Sequence, residues 1–251
     1  DLPLKNWLYD KVFPFEDKLT ADDIYHLSKV AFLEYLTSGV SACFDMYFFP
    51  ESMAKASTEM GFRTVMTCGL NDFKESIEKL DEYYNKFNNY NDLISYKLGF
   101  HAEYTTSLDI MKNISKLAEK YKAPVFMHSS ETKSEVEECV KKYSKTPTAL
   151  FDELGLFNYG GGAYHSVWLN DDDLNIYKKR GVYAVINAGS NCKLASGIAN
   201  VSEMLKNNIN LAIGTDGAAS NNCLDMFREM FLIAGLQKIK DKDASSTDAN
   251  E

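Results

Sequence analysis

The sequence predicts a parallel α/β barrel, a (β/α)8 fold from which the first strand is missing. Three observations carry this. Seven short apolar runs alternate with helical patterns, with no linker between them, and regular βα alternation gives a parallel sheet with helices outside. A doubly wound sheet would place a glycine-rich phosphate loop at its first βα turn, whereas Gly160-Gly161-Gly162 precedes a strand here. The chain has 251 residues, the size of one barrel of about 250. The expected organisation is a barrel domain over 1–237 and a polar tail over 238–251. Both ends read as cut, since residue 1 is Asp and the tail stops without a structural signal.

The elements follow in order. Leu2-Pro3-Leu4 leads into Trp7, Leu8, Val12, Phe13 and Phe15, an apolar stripe at roughly helical spacing that Pro14 should break. Thr20 is a good N-cap, with Asp22 and Asp23 in the first turn of a helix that Gly39 ends. Strands are expected at 40–47, 63–70, 95–101, 124–129, 162–167, 182–187 and 209–215. The helices expected between and after them cover 51–60, about 72–88, 108–121, 133–143, 147–154, 171–180, 201–207 and 224–236. In the stretch after the last strand, Ser220-Asn221-Asn222 offers capping groups for the final helix.

Composition narrows the function. The chain is 45% hydrophobic and 25% charged, with formal charge −9 and pI near 5.1. No basic block offsets the acidic balance, which argues against nucleic-acid or anionic-membrane partners. The sequence contains no 18-residue apolar run and reads as lacking a signal peptide. The five cysteines are odd in number and lack CxxC spacing. They read as reduced, buried thiols of a cytoplasmic protein.

Polar residues concentrate at strand ends. His101 follows Lys97-Leu98-Gly99-Phe100, His128 follows Val125-Phe126-Met127, His165 follows Gly162-Ala163-Tyr164, and Asp216 closes a fourth strand between Gly214 and Gly217. One strand histidine is ordinarily a satisfied core residue. Three at the same end of a barrel, with an aspartate on another strand, converge. Imidazoles plus a carboxylate are ligands for zinc or iron(II). Glu131, three residues after His128, falls in the loop above it, where a carboxyl could carry protons between an activated water and a leaving group. Its bland reading is a first-turn helix charge. His26 lies in the first long helix and reads as bland.

Tyr164-His165-Ser166-Val167-Trp168-Leu169, then Ser190-Asn191-Cys192-Lys193-Leu194-Ala195-Ser196-Gly197, then Gly214-Thr215-Asp216-Gly217-Ala218-Ala219-Ser220-Asn221-Asn222 follow in order and at the right spacing. With His128 and Glu131, they closely resemble the amidohydrolase superfamily, and within it the branch of 5-methylthioadenosine/S-adenosylhomocysteine deaminases and related aminohydrolases. The resemblance runs from Asp1-Leu2-Pro3-Leu4 to Leu236-Gln237. It implies a distorted (β/α)8 barrel of the metal-dependent hydrolase type that holds one divalent metal, zinc or iron. Two-metal relatives carry a bridging lysine where this chain has Gly99-Phe100-His101.

On that resemblance, His128 and Asp216 are metal ligands and His165 orients the attacking water. Glu131 moves protons to the ring nitrogen and the leaving ammonia, and Asp216 also takes the proton of the water. His101 contacts substrate, and Trp7 and Glu16 hold the base and ribose of a nucleoside. By themselves Trp7 and Glu16 read as a core aromatic and a loop acid. Superfamily members are often dimers or tetramers, so a homo-oligomer is expected.

The chain departs from the pattern in three places. No His-x-His pair, the family's first-strand ligand motif, occurs in the 251 residues. Ile186-Asn187-Ala188-Gly189 stands where relatives show His-Asn-Pro, and Cys68 stands where an arginine is common. Without that arginine, a carboxylate-bearing nucleoside is less favoured than 5′-methylthioadenosine or a smaller one. Two alternatives stay open: another hydrolysis of the superfamily, of the guanine deaminase or chlorohydrolase type, and a catalytically inactive fragment or scaffold.

Overall fold

The computed structural model describes residues 2–247; Asp1 and the last four residues of the expected tail lie outside them. Eight strand segments alternate with helices: β1 Ala42–Met46, β2 Arg63–Thr67, β3 Ile94–Tyr96, β4 Leu98–Gly99, β5 Val125–Ser129, β6 Gly161–His165, β7 Val182–Ile186 and β8 Asn210–Ile213. All pair in parallel, in the orders β1-β2-β3 and β4-β5-β6-β7-β8. The single strand expected at 95–101 is two pieces that part at Lys97. The Lys97 amide still bonds to Met66 O (2.8 Å) and the His101 amide to Leu70 O (2.9 Å), so the sheet steps across the break and continues.

The result is a partial barrel. Among the described residues β1 and β8 are the two outer strands and do not pair with each other, and each exposes an apolar residue, Phe44 and Ile213. One core fills the barrel and the space under the helices, with Phe62, Phe87, Tyr96, Phe100, Phe151, Phe157 and Tyr177 fully buried.

Local chemistry sets the helix ends. Thr20 caps Ala21–Thr37 and pairs with Asp23 in a capping box, and Thr132 with Glu135 does the same for Lys133–Tyr143. Several expectations need correction. Pro14 does not break the leading helix: Leu4–Trp7, a π turn over Leu8–Val12 and Phe13–Glu16 run on continuously. Pro14 falls in the first turn of the last piece, directly after the π turn, a position at which proline is tolerated. Residues 72–76 are loop, and the helix there starts at Ile77 behind the Ser76 cap. The final helix is Met226–Asp241, capped by Asp225 rather than by 220–222, which belong to or follow a short helix Ala218–Asn221. Cys192 is exposed rather than buried, and Cys43 and Cys223 are half-buried; all five thiols are free.

Gly161 shows how tightly β6 is seated. It has φ +141°, and an added Cβ would stand 2.0 Å from Val125 O, a backbone atom of the paired strand. Gly161→Ala should therefore cost at least about 2 kcal/mol, combining overpacking with a disfavoured φ. The urea midpoint measures this, and an unchanged midpoint would contradict the packing described.

Candidate active site

The site lies at the carboxyl ends of β4 to β8, where a barrel gathers its ligands. His128 lies in β5 and His165 ends β6. His101 lies two residues past β4 and Asp216 three residues past β8, so both sit on loops rather than on the strands themselves. The rings of His101 and His128 are 4.9 Å apart and those of His128 and His165 5.4 Å. His165 Nε2 stands 3.6 Å from Glu131 Oε2 and 4.0 Å from Asp216 Oδ2. The structure thus brings together five of the residues singled out in the sequence: His101, His128, Glu131, His165 and Asp216.

Backbone strain marks the same place. His165 (φ 70°), Ser166 (φ 49°), Asp216 (φ 59°) and Ser130 (φ 53°) all adopt the left-handed region without being glycine. Such residues cost about 1–3 kcal/mol each and persist only where the surroundings enforce them. Here the enforcing bonds are visible. Ser130 O accepts the amides of Val167 (3.0 Å) and Trp168 (2.9 Å), tying the loop after β5 to the loop after β6. Glu135 accepts the amides of Ser130 (2.6 Å), Glu131 (2.8 Å) and Thr132 (3.2 Å), which fixes the loop that carries Glu131.

Each imidazole is oriented through Nδ1. His128 donates from Nδ1 to His101 O (2.9 Å), since a carbonyl can only accept. His165 Nδ1 pairs with Asn191 Oδ1 (2.8 Å), and His101 Nδ1 with Thr105 Oγ1 (2.8 Å), whose hydroxyl donates onward to Ala102 O. This leaves Nε2 as the lone-pair nitrogen of each ring, the arrangement that metal-ligating or proton-accepting histidines use. Asp216 accepts from Ser190 Oγ (2.7 Å) and from the Gly217 amide (2.7 Å). Glu131, 3% exposed, accepts from Ser196 Oγ (2.9 Å). It precedes the cap Thr132 and turns inward, so the helix-charge reading of Glu131 does not hold.

The electrostatics follow from enclosure. Desolvation holds the His101 pKa down at about 3, with His128 and His165 adding to it, and it lowers His128 as well. Both rings are therefore neutral at physiological pH although each keeps a solvent-accessible edge. Burial would raise Asp216, but His165, the Ser190 hydroxyl, His128 and the Gly217 amide together outweigh it, so its pKa falls and it stays ionised. Burial pushes Glu131 up to about 7. One carboxyl is kept charged and another poised near neutrality, the separation that acid–base pairs exploit.

A pH prediction follows from the neighbouring acid. Burial, then the Glu131 charge, pushes Glu135 up to about 7 against an ordinary 4.5. The folded state then holds a proton that the unfolded chain has released. The stability this gives is complete below pH 4.5 and is lost as pH rises to about 7. Glu131 acts in the same sense, while the lowered His101 and His128 act in the opposite one. Glu135→Gln removes one of these groups. Its urea midpoint should fall less between about pH 5 and about pH 7 than the parent's, because a tenfold difference in proton affinity between folded and unfolded chain is worth about 1.4 kcal/mol. Parallel midpoint curves would contradict this.

The metal question can be tested on the donors. Among the described residues no three His, Cys, Asp or Glu side chains stand together closely enough to hold an ion by themselves. What the chain supplies fits part of a divalent-metal shell: a neutral histidine with its Nδ1–H bonded to a carbonyl, and an ionised aspartate held by two donors.

Trp7 and Glu16 lie beside this cluster rather than in it. Trp7 packs on Leu4, Leu8 and Leu194 and lines a cavity of about 380 Å³ with Leu2, Lys11, Lys193 and Leu194. Phe13, between Trp7 and Glu16 on the same helical segment, lies edge-on to His101 at 6.4 Å. Glu16 faces Lys74 Nζ at 3.7 Å, and burial raises its pKa. His26 is exposed near Asp22, away from the site. Ser190, Asn191 and Ser196 hold Asp216, His165 and Glu131, and residue-by-residue chemistry did not assign them these tasks. All three lie in the Ser190-to-Gly197 run that carries part of the family resemblance.

The fold and this site define the class: the chain belongs to the amidohydrolase family, whose model matches residues 1–250. It is 42% identical over its whole length to a 5-methylthioadenosine/S-adenosylhomocysteine deaminase of Caldanaerobacter subterraneus subsp. tengcongensis, and 39% identical to a 5′-deoxyadenosine deaminase of Methanopyrus kandleri. In each case it spans 60% of the relative's length. A zinc-bound adenosine deaminase from Xanthomonas campestris superposes with TM-score 0.93 at 32% identity, covering 99% of this chain and 58% of that one. A guanine deaminase from C. acetobutylicum shares the fold at TM-score 0.87 and 20% identity, covering 98% of this chain and 64% of that one. No helix among the described residues is long and apolar enough to cross a membrane.

Proposed function

We propose that the chain forms the core of a metal-dependent hydrolytic deaminase acting on an adenine nucleoside. The observation that carries this is the convergence of Glu131 and Asp216 on His165 Nε2, within 3.6 and 4.0 Å. Support comes from relatives named for deamination of 5-methylthioadenosine, S-adenosylhomocysteine or 5′-deoxyadenosine. In the reaction, water adds to the purine carbon that bears the amino group. The carbon–nitrogen bond then breaks, ammonia leaves and a ring carbonyl remains.

Two protons must move. Asp216, ionised and fixed by Ser190 and Gly217, accepts the proton of the attacking water. His165, oriented by Asn191, places that water. Glu131, near neutrality in pKa, gives a proton to the ring nitrogen and relays one to the departing ammonia. His128 and Asp216 would hold the divalent metal, zinc or iron, which when bound acidifies water and makes it nucleophilic at neutral pH. His101 contacts the substrate. Trp7 and Glu16 take up the base and the ribose hydroxyls, and Lys74 and Tyr47 keep Glu16 in place.

Cys68, buried and hydrogen-bonded to Gly99 O, offers no positive charge to an amino-acid carboxylate. We therefore place 5′-methylthioadenosine, 5′-deoxyadenosine or adenosine ahead of S-adenosylhomocysteine. The test is ammonia release by the intact gene product from these four nucleosides and from guanine. A nucleoside without the carboxylate should react fastest. A preference for guanine would favour the rival hydrolysis, and release from none of them would overturn the reading.

A further inference from the structure

Glu229 lies in the first turns of helix Met226–Asp241 and is completely buried. Its position between Arg228 and Met230 looks like an ordinary helix charge in the sequence. In the structure its carboxylate joins two short helices, Ala188–Lys193 and Ala218–Asn221. Oε2 accepts the Gly189 amide at 2.8 Å, and Oε1 accepts Asn221 Nδ2 at 2.8 Å. Asn221 Nδ2 also reaches Thr215 O at 2.6 Å, while its Oδ1 accepts from Arg228 Nη1 at 2.9 Å.

These partners are immediate neighbours of the reacting groups. Thr215 precedes Asp216 in the chain. Gly189 precedes Ser190, which bonds Asp216, and Asn191, which bonds His165. The approach is close enough to require glycine: a Cβ on Gly189 would stand 2.4 Å from Glu229 Oε1. Short helix Ala188–Lys193 thus touches both His165 and Asp216 and is itself held from behind by one carboxylate.

We propose that Glu229 is a positioning residue that sets the separation of His165 and Asp216 through Ser190, Asn191 and Thr215. The inference rests on the reading of His165 and Asp216 as the reacting pair. Glu229 touches no substrate. Its effect is on the geometry of two side chains whose strained backbones need support from the surrounding structure.

Glu229→Gln keeps the volume but turns an amide NH2 toward one of the two donors, so one bond is lost. Two readouts test it in the intact gene product. Amide hydrogen exchange of peptides covering 187–196 and 214–222 should quicken in Glu229→Gln, with the β5 peptide 125–129 unchanged. The kcat should fall about 10–100-fold, as for other residues that orient ligands from behind, with KM little altered. In a Ser190→Ala background the same substitution should cost much less, because the two act in one chain of bonds.

Unchanged exchange at 187–196 overturns the proposal whatever the activity. Faster exchange with unchanged kcat also overturns it and leaves Glu229 a purely structural residue. If the parent protein deaminates nothing while exchange responds as expected, the deaminase reading fails and the anchoring by Glu229 stands.

Discussion

Glu131→Gln is expected to lower kcat by about 10²–10⁴-fold while leaving KM within a few-fold of the parent. The substitution is isosteric, and the glutamine oxygen can still accept from Ser196 Oγ, so the loop fixed by Glu135 should keep its path. What disappears is the proton. A carboxyl pushed up to about 7 exists in both protonation states near neutrality, so it can deliver a proton to the ring nitrogen and be recharged in the same cycle. An amide can do neither. Steady-state ammonia release measures the loss, and a kcat within about tenfold of the parent would remove Glu131 from the chemistry.

Asp216→Asn should be at least as damaging: about 10³-fold or more in kcat, together with weaker metal retention measured by elemental analysis after dialysis. Asparagine fits the space and can still accept the Gly217 amide, and Ser190 can turn its hydroxyl to accept from the new NH2. The fold should therefore survive, with an unchanged circular dichroism spectrum. The lost negative charge is what matters. It faces His165 Nε2 at 4.0 Å, and in the proposed reaction it is the base for the attacking water. A folded Asp216→Asn that retains both metal and rate would show that the residue only shapes its glycine-flanked turn.

The parallel architecture was legible because strong apolar runs recur between helical patterns, and all seven expected strand positions carry strands. The strand-end residues were legible for the same reason: a histidine directly after an apolar run has nowhere to go but the barrel mouth. Helix Ala188–Lys193 was not visible. Gly189, Ser190 and Asn191 are poor helix formers, and the turn forms because Glu229, forty residues on, receives the Gly189 amide. Asp225 was overlooked as a cap because Ser220-Asn221-Asn222 offers the same chemistry earlier. Tertiary bonds to Thr215 and Glu229 claim Asn221 instead. Pro14 suggested a break because sequence rules treat proline in a helix interior, whereas here a π turn ends just before its helix piece. The supporting roles of Ser190, Asn191 and Ser196 escaped for a common reason. They act across distances of 26 to 65 residues, which no local pattern reports.

Hydrolysis at the purine carbon is tested most directly by the source of the product's oxygen. The intact gene product is incubated with 5′-methylthioadenosine in heavy-oxygen water, and the base is weighed by mass spectrometry while ammonia is counted. One heavy oxygen in each deaminated base, matched by one ammonia, is the predicted result. A product that carries no solvent oxygen, or substrate that remains intact with no ammonia formed, would contradict the account.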